Sequence, residues 1–397
     1  MIRLGQTRGQ AKRPGTKAAD AWTQRVGGYA KLEMLLRQLD AEPGTILVDA
    51  GLADDALDQA ESRIPYVALG RLLLASANRT RCAHLGLLAG CMWHLSDLGA
   101  VGARARTCAT VGDALRVLTQ QQHLDSEGGV TYLIEHRAVV DFGYAIYHPD
   151  VYGTNQIFDS ILAGTFNYLR ALCGDGWAPS EVLVPHADPI SVVPYRDLFG
   201  VTPRFNSEVC AIRFPVYWMD RPIANVESRQ VRDAEVTAET TKFEDPVQQV
   251  SRALRVLLLE GKTSGDEVAQ ALAIHRRTLN RRLKDHGTTF QRVLDEVRFS
   301  VARQFLATSE ICLDDVAASL GYAAVNSFIR TFHRWAGTAP GRWRRDARST
   351  FPQSGSRGQP NAFAHGPAWI DCGEHAISAP RNRPLSPATR RPPIAVL

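Results

Sequence analysis

Residues 319–335 read SLGYAAVNSFIRTFHRW. Leu320-Gly321 interrupts a helix-like pattern, which then resumes with Phe328 and Phe332 one turn apart and with Arg330 and His333 between apolar residues. Glycine suits such a stop because it tolerates the left-handed backbone that ends a helix and re-aims the chain. A helix that ends at glycine and restarts as a basic helix is laid out as a helix–turn–helix.

The stretch has an echo 48 residues upstream. DEVAQALAIHRRTLNRRLKDHG begins at Asp266 and DDVAASLGYAAVNSFIRTFHRWAG at Asp314, with one residue inserted in the second turn. Val268/Val316, Ala269/Ala317, Leu272/Leu320, Leu279/Phe328 and Leu283/Phe332 correspond. Ala273 stands where the second copy has Gly321, so the first turn is made without glycine. Ser264 followed by Glu267 is a capping-box pattern for the first short helix.

Each second helix is apolar on one side. The other side offers Arg277, Asn280, Arg281 and Lys284 in the first copy, and Asn326, Ile329, Arg330 and His333 in the second. Arg276 and Arg334 flank these positions and join the candidates, as does Val325. Arg and Asn are the side chains able to make bidentate bonds to guanine and adenine edges in the major groove. Arginine is abundant throughout (40 Arg, 6 Lys), so duplication of the whole signature, more than basicity, points to double-stranded DNA. Between the copies, residues 290–306 read as one helix of about 25 Å with Thr288 or Thr289 as its cap. Such a strut would hold two recognition helices near one DNA turn, about 34 Å, apart.

These residues closely resemble the AraC/XylS family of bacterial transcription regulators. The family's tandem motif appears as RRTLNRRLKDHGTTF, VRFSVARQFL, DDVAASLGY and NSFIRTFHRWAGTAPGRWRR, within residues 245–345. The resemblance implies base-reading roles for Arg277, Asn280 and Arg281 in one helix and for Val325, Asn326, Ile329 and Arg330 in the other. Two departures stand out: His275 replaces a serine before the first recognition helix, and Ala323-Ala324 replace more polar residues, which weakens capping at both.

Upstream, residues 26–222 are mixed. RIPYVALGRLLLASA, the stretch from Thr110 and NQIFDSILAGTFNYLRALCG have helical character. VTYLIEH and AVVDFGYAIY suggest antiparallel strands, and EVLVP and AIRFP add short ones. An α+β body followed by an all-α domain with two helix–turn–helix motifs is the expected architecture. RIPYVALGRLL, LSDLGAVGARARTCATVGDALRVL and YRDLFGVTPRFNSEVCAIRFPVYWMDRPI resemble a regulatory domain labelled arabinose-binding-like, in a branch that includes ornithine and arginine regulators. The label does not establish arabinose as the ligand. Residues 1–25 and 346–397 read as disordered tails, and 223–244 as a linker.

Charge divides the same way. Residues 246–345 carry sixteen Lys/Arg against nine acids, whereas residues 21–245 carry 19 against 28. An acidic body joined to a basic domain fits a polyanion at the latter. Seven scattered cysteines without a C-x-x-C pair argue against a disulfide framework. RCAHLGLLAGCMWH holds Cys82, His84, Cys91 and His94, but on a helix Cys82 and His84 face different ways, so no metal is expected. No phosphate loop, G-x-S-x-G or H-E-x-x-H occurs, so neither enzyme activity nor a cofactor is expected. No apolar run approaches the roughly 20 residues of a membrane span, which makes the cytoplasm the expected place. Expected partners are promoter DNA, RNA polymerase, a small-molecule effector and a second copy of the chain. The alternative makes the N-terminal body an enzyme or a ligand-independent dimerisation module. Tyr144, Tyr147, His148 and Tyr152 would line a pocket or pack the sheet.

Overall fold

The computed structural model describes residues 22–148, 151–224 and 245–350. Strand β1 (Thr23–Arg25) pairs antiparallel with β2 (Arg63–Pro65). This corrects the reading of residues 1–25 as a disordered tail, at its end. Arg25 is held by Glu61 (2.6 Å), by Asp125 (3.4 Å) and by the Asp97 carbonyl (2.7 Å), and Trp22 is buried against the main sheet. Residues 1–21 lie outside the described residues.

Helices α1 (Leu32–Gln38), α2 (Pro43–Ala50), α3 (Tyr66–Thr80), α4 (Leu85–Cys91), α5 (Gly99–Arg106) and α6 (Val111–Gln121) precede the main sheet. Thr110 caps α6 by accepting from the Asp113 amide. Strands β3 (Gly129–Glu135), β4 (Val139–Ile146), β5 (Glu181–Leu183) and β6 (Cys210–Pro215) form an antiparallel sheet in the order β3-β4-β6-β5. Between β4 and β5 runs α7 (Thr154–Cys173), which stops at Gly174; α8 (Val193–Phe199) lies between β5 and β6.

Alternation gives this sheet two apolar faces. Phe214 meets Trp177, which meets Phe166 of α7, so the face that includes Val140, Phe142 and Ile212 packs on α7. The opposite face presents Val130, Tyr132, Ala145, Leu183 and Ala211. The Tyr132 ring lies across Gly143, where any Cβ would collide with it, and its hydroxyl donates to the Cys210 carbonyl (2.9 Å).

The C-terminal domain is helical. It comprises α9 (Pro246–Leu259), α10 (Gly265–Ala271), α11 (Arg276–Asp285), α12 (Phe290–Thr308), α13 (Leu313–Ser319), α14 (Val325–Ala336) and α15 (Pro340–Thr350). Each motif is built as the repeat implies: Val268, Ala269, Leu279 and Leu283 in one, Val316, Ala317, Phe328 and Phe332 in the other, all buried in one core. Ser264 and Glu267 form the capping box (3.2 and 2.8 Å), and Thr289 caps the 19-residue strut α12. Before α13 the cap is Cys312, whose Sγ accepts from the Asp315 amide. Helix α15 extends past Arg345, where the tail was expected to start. Trp343 packs near Phe332, and Arg344 donates to the Ile311 carbonyl (2.6 Å). Of the linker, Ile223 is buried and the Ala224 amide donates to the Leu172 carbonyl (2.9 Å); 225–244 and 351–397 lie outside the described residues.

The two turns solve one geometric problem with different residues. Gly321 has φ 73°, and Ala273 adopts φ 52° at the equivalent place. An L-residue with a Cβ pays about 1–2 kcal/mol for that conformation. Ala273→Gly should therefore stabilise the chain by up to about 1 kcal/mol in urea unfolding. Gly321→Ala should destabilise it by about 1–2 kcal/mol, since a Cβ there also meets Arg298 and Thr263 at 3.2 Å. Effects of the same sign would show that the two turns are not equivalent.

Candidate nucleic-acid interface and interdomain cleft

On α11 the side chains of Arg277, Asn280, Arg281 and Lys284 are exposed, opposite buried Leu279 and Leu283. On α14 Asn326, Arg330 and His333 are exposed, opposite Phe328 and Phe332, while Val325 and Ile329 are partly buried against the core. Among the described residues no acidic side chain pairs with Arg277, Arg281, Lys284 or Arg330; Arg330 only approaches Ser327 Oγ (3.4 Å). Two candidates are engaged inside the domain instead. Arg276 stacks over the Phe290 ring (4.6 Å), and Arg334 pairs with Asp295 on the strut (3.3 Å). Neither His275 nor Ala324 caps its helix with a side chain, so first-turn amides of α11 and α14 lack a local side-chain acceptor. An anion is the natural partner of such amides.

The second apolar face of the sheet is covered by the DNA-side domain. Helix α9 turns Val250, Leu254 and Leu258 into the helical core, and sets Val256 and Leu259 against the sheet. Arg255, 5 % exposed, donates from Nε to the Ile146 carbonyl (3.1 Å). Burial pushes its pKa down to about 10, which still leaves it charged at neutral pH. The strut is tied as well: Ser300 Oγ donates to the His148 carbonyl (3.2 Å), the Ala187 amide to the Thr308 carbonyl (2.7 Å), and the Glu310 amide to Asn206 Oδ1 (2.7 Å).

A buried polar group stands behind the Ala187–Thr308 clamp. His186 places Nδ1 on the Ala187 carbonyl (2.9 Å) and Nε2 on Asp159 Oδ1 (2.9 Å), and the Tyr195 hydroxyl donates to Asp159 Oδ2 (2.7 Å). Two acceptors around one ring describe an imidazolium. Burial opposes that charge, but the Asp159 carboxylate and the Ala187 carbonyl outweigh it, and the His186 pKa is raised.

Beside α9 a cleft of about 370 Å³ is bordered by Tyr132, Ile134, His136, Asp141, Leu259 and Glu260. Asp141 takes both oxygens to Arg213 (2.7 and 2.8 Å) and faces His136 (3.0 Å). Of the four aromatic candidates, Tyr144 reaches a smaller adjoining cavity, Tyr147 and His148 are buried in packing, and Tyr152 is exposed. In the cysteine–histidine stretch, burial raises the Cys82 thiol to about 11 and lowers the His84 pKa. Among the described residues no three His, Cys, Asp or Glu side chains converge on a metal position.

Residues 41–223 match the model for the arabinose-binding domain of AraC transcription regulators, and residues 268–346 match a helix-turn-helix domain model. The chain belongs to the AraC family of transcription regulators. It is a DNA-binding regulator of the arabinose-binding-type branch. The regulator VirS of Mycobacterium tuberculosis is 26% identical over 334 residues, 83% of this chain and 96% of VirS. The ornithine utilization regulator of Pseudomonas aeruginosa is 26% identical over 304 residues, 74% of this chain and 88% of its own. The crystal structure of the regulator CdpR from Pseudomonas aeruginosa aligns over 78% of this chain and 97% of CdpR, at 22% identity and a TM-score of 0.38. Among the described residues no helix of this AraC-family chain is long and apolar enough to cross a membrane.

Arg255 and the strut clamp were missed in the sequence. Their only trace is an arginine set inside SRALRVLLLEG, indistinguishable there from one on a solvated face. Raising the folded-state pKa of His186 means that its contribution is complete below the unfolded value, about 6.5, and is lost as pH rises through the folded one. Unfolding free energy measured between about pH 6 and 9 should therefore decline in the wild type more than in His186→Gln. Equal slopes would remove the imidazolium from the clamp.

Proposed function

We propose that this AraC-family regulator reads promoter DNA through Arg277, Asn280 and Arg281 on α11 and through Val325, Asn326, Ile329 and Arg330 on α14. Lys284 and His333 reach phosphates or base edges beside them. Arg276 supports its helix by stacking on Phe290, and Arg334, exposed on α14, is held by an ion pair to Asp295 of the strut. The observation that carries this reading is the pair of exposed basic helix faces in which Arg277, Arg281 and Arg330 have no acidic partner among the described residues. Nineteen residues of strut span about 28 Å, close to one helical turn of DNA.

The N-terminal domain responds to a small-molecule effector, acts from the cytoplasm as part of a homodimer, and passes the signal to RNA polymerase at the promoter. It performs no catalysis. A ligand exerts such control only by binding one arrangement of the DNA-reading helices more tightly than another. Contacts of α9 and α12 with the regulatory sheet and its loops hold the docked arrangement, and breaking them gives the second arrangement on which a ligand acts.

Selection from random duplexes with the full-length protein should enrich two blocks about one helical turn apart, with preference surviving higher salt. On the selected duplex, Arg281→Ala and Arg330→Ala should each cost about 1–3 kcal/mol and relax preference at one position. A loss equal on all sequences would make them phosphate contacts, and selection of no sequence would end the reading.

A further inference from the structure

Two polar side chains at the junction of the domains lack what their chemistry requires. Arg255 is 5 % exposed, yet its one hydrogen bond is from Nε to a backbone carbonyl. No carboxylate among the described residues pairs with it, and its terminal amino groups, which are not fully enclosed, make no hydrogen bond to a described residue. Gln304, on the strut, has a buried Nε2 that also has no acceptor. Both residues border one cavity, of about 10 Å³, roughly the room of a single water. Buried donors are ordinarily paired, and a buried charge is ordinarily paired with its opposite. Here a largely buried guanidinium without a carboxylate partner and a buried, unpaired amide NH2, from two different helices, border one cavity. Glu208 also borders it, but is exposed and makes no ion pair with Arg255.

The adjoining cleft of about 370 Å³ shares Tyr132, Val209 and Leu259 with this cavity. Its volume is that of a small-metabolite site. Its walls near the shared residues are apolar or aromatic, with Leu133 and Ile134 beyond them. The polar rim is formed by Glu135, His136, Asp141 and Glu260, of which Asp141 is engaged by Arg213 and His136, and Glu260 by Lys262. An occupant complementary to both spaces has an acidic head and an apolar body.

We propose that the effector is a small organic carboxylate, bound between the domains with its carboxylate on Arg255 and Gln304 and its body in the cleft along Tyr132 and Leu259. The site rests on the ligand-controlled regulator reading and names its ligand class. The head is larger than the cavity, so its entry moves α9 and the strut relative to the sheet. Ligand occupancy thereby acts on the helix that borders the helix–turn–helix core. The acid does this by accepting hydrogen bonds from Arg255 and Gln304 at once.

The test is thermal unfolding and calorimetry on the full-length protein with hexanoate and phenylacetate, each beside its neutral amide, and with inorganic phosphate at matched ionic strength. One of the two acids should raise Tm by about 5 °C at saturation, while its amide and phosphate do not. Arg255→Met should abolish the response, and Gln304→Leu should weaken binding about tenfold. An equal response to acid and amide, a response that survives in Arg255→Met, or no response to either acid would overturn the site; in the last case the cavity holds water only. Binding of the selected duplex by the same samples separates the outcomes. A protein that reads its duplex but ignores the acids remains a regulator without this site, whereas one that selects no duplex loses the wider reading.

Discussion

A four-stranded sheet with two apolar faces needs two covers, and the regulatory domain supplies one in full and, through Trp22, only part of the other. Helix α7 and the Phe166–Trp177–Phe214 aromatic chain close one side. Val130, Tyr132, Ala145 and Ala211 on the other side are closed by Val256 and Leu259 of α9. The same helix contributes Val250, Leu254 and Leu258 to the helix–turn–helix core. One amphipathic segment thus belongs to two cores, and apolar burial, the main favourable contribution to folding, joins the regulatory sheet to the DNA-reading domain.

That junction also has polar contacts. Arg255 sits in it without a carboxylate partner among the described residues, and hydrogen bonds fasten the strut and the residues after it to loops of the sheet domain: Ser300 Oγ to the His148 carbonyl, the Ala187 amide to the Thr308 carbonyl, and the Glu310 amide to Asn206 Oδ1. The strut also spaces the two recognition helices, so its attachment matters to how both can face a duplex. A rearrangement here needs no path through the protein interior, because the sheet and the DNA-reading core already share α9.

Much of the DNA-reading domain was legible because its determinants are local and repeated. The Leu279/Phe328 and Leu283/Phe332 pairs, the Ser264–Glu267 box and Gly321 each carry their structural role in their residue type. Ala273 shows the limit: its left-handed backbone is imposed by the turn around it and opposes its own preference. Cys312 stands in for the usual hydroxyl cap, a role that its residue type does not advertise. Arg276 joined the DNA-contact candidates because spacing cannot show the Phe290 ring that receives it. The regulatory half was legible as elements but not as an arrangement. Trp22 and Arg25 fold against Tyr147 and Glu61, partners far along the chain, so a basic, aperiodic context hid them. Arg255 was invisible as a buried group for the same reason: its burial is created by another domain.

Hydrogen exchange of the full-length protein along a urea titration addresses the shared core directly. If α9 joins the two domains into one cooperative unit, amides of β3 and of α12 lose protection at the same urea concentration, and Val256→Asp splits them into two transitions. Well-separated midpoints in the wild type would mean that the sheet and the helix–turn–helix domain fold independently, and that the covering of the sheet by α9 contributes nothing to coupling.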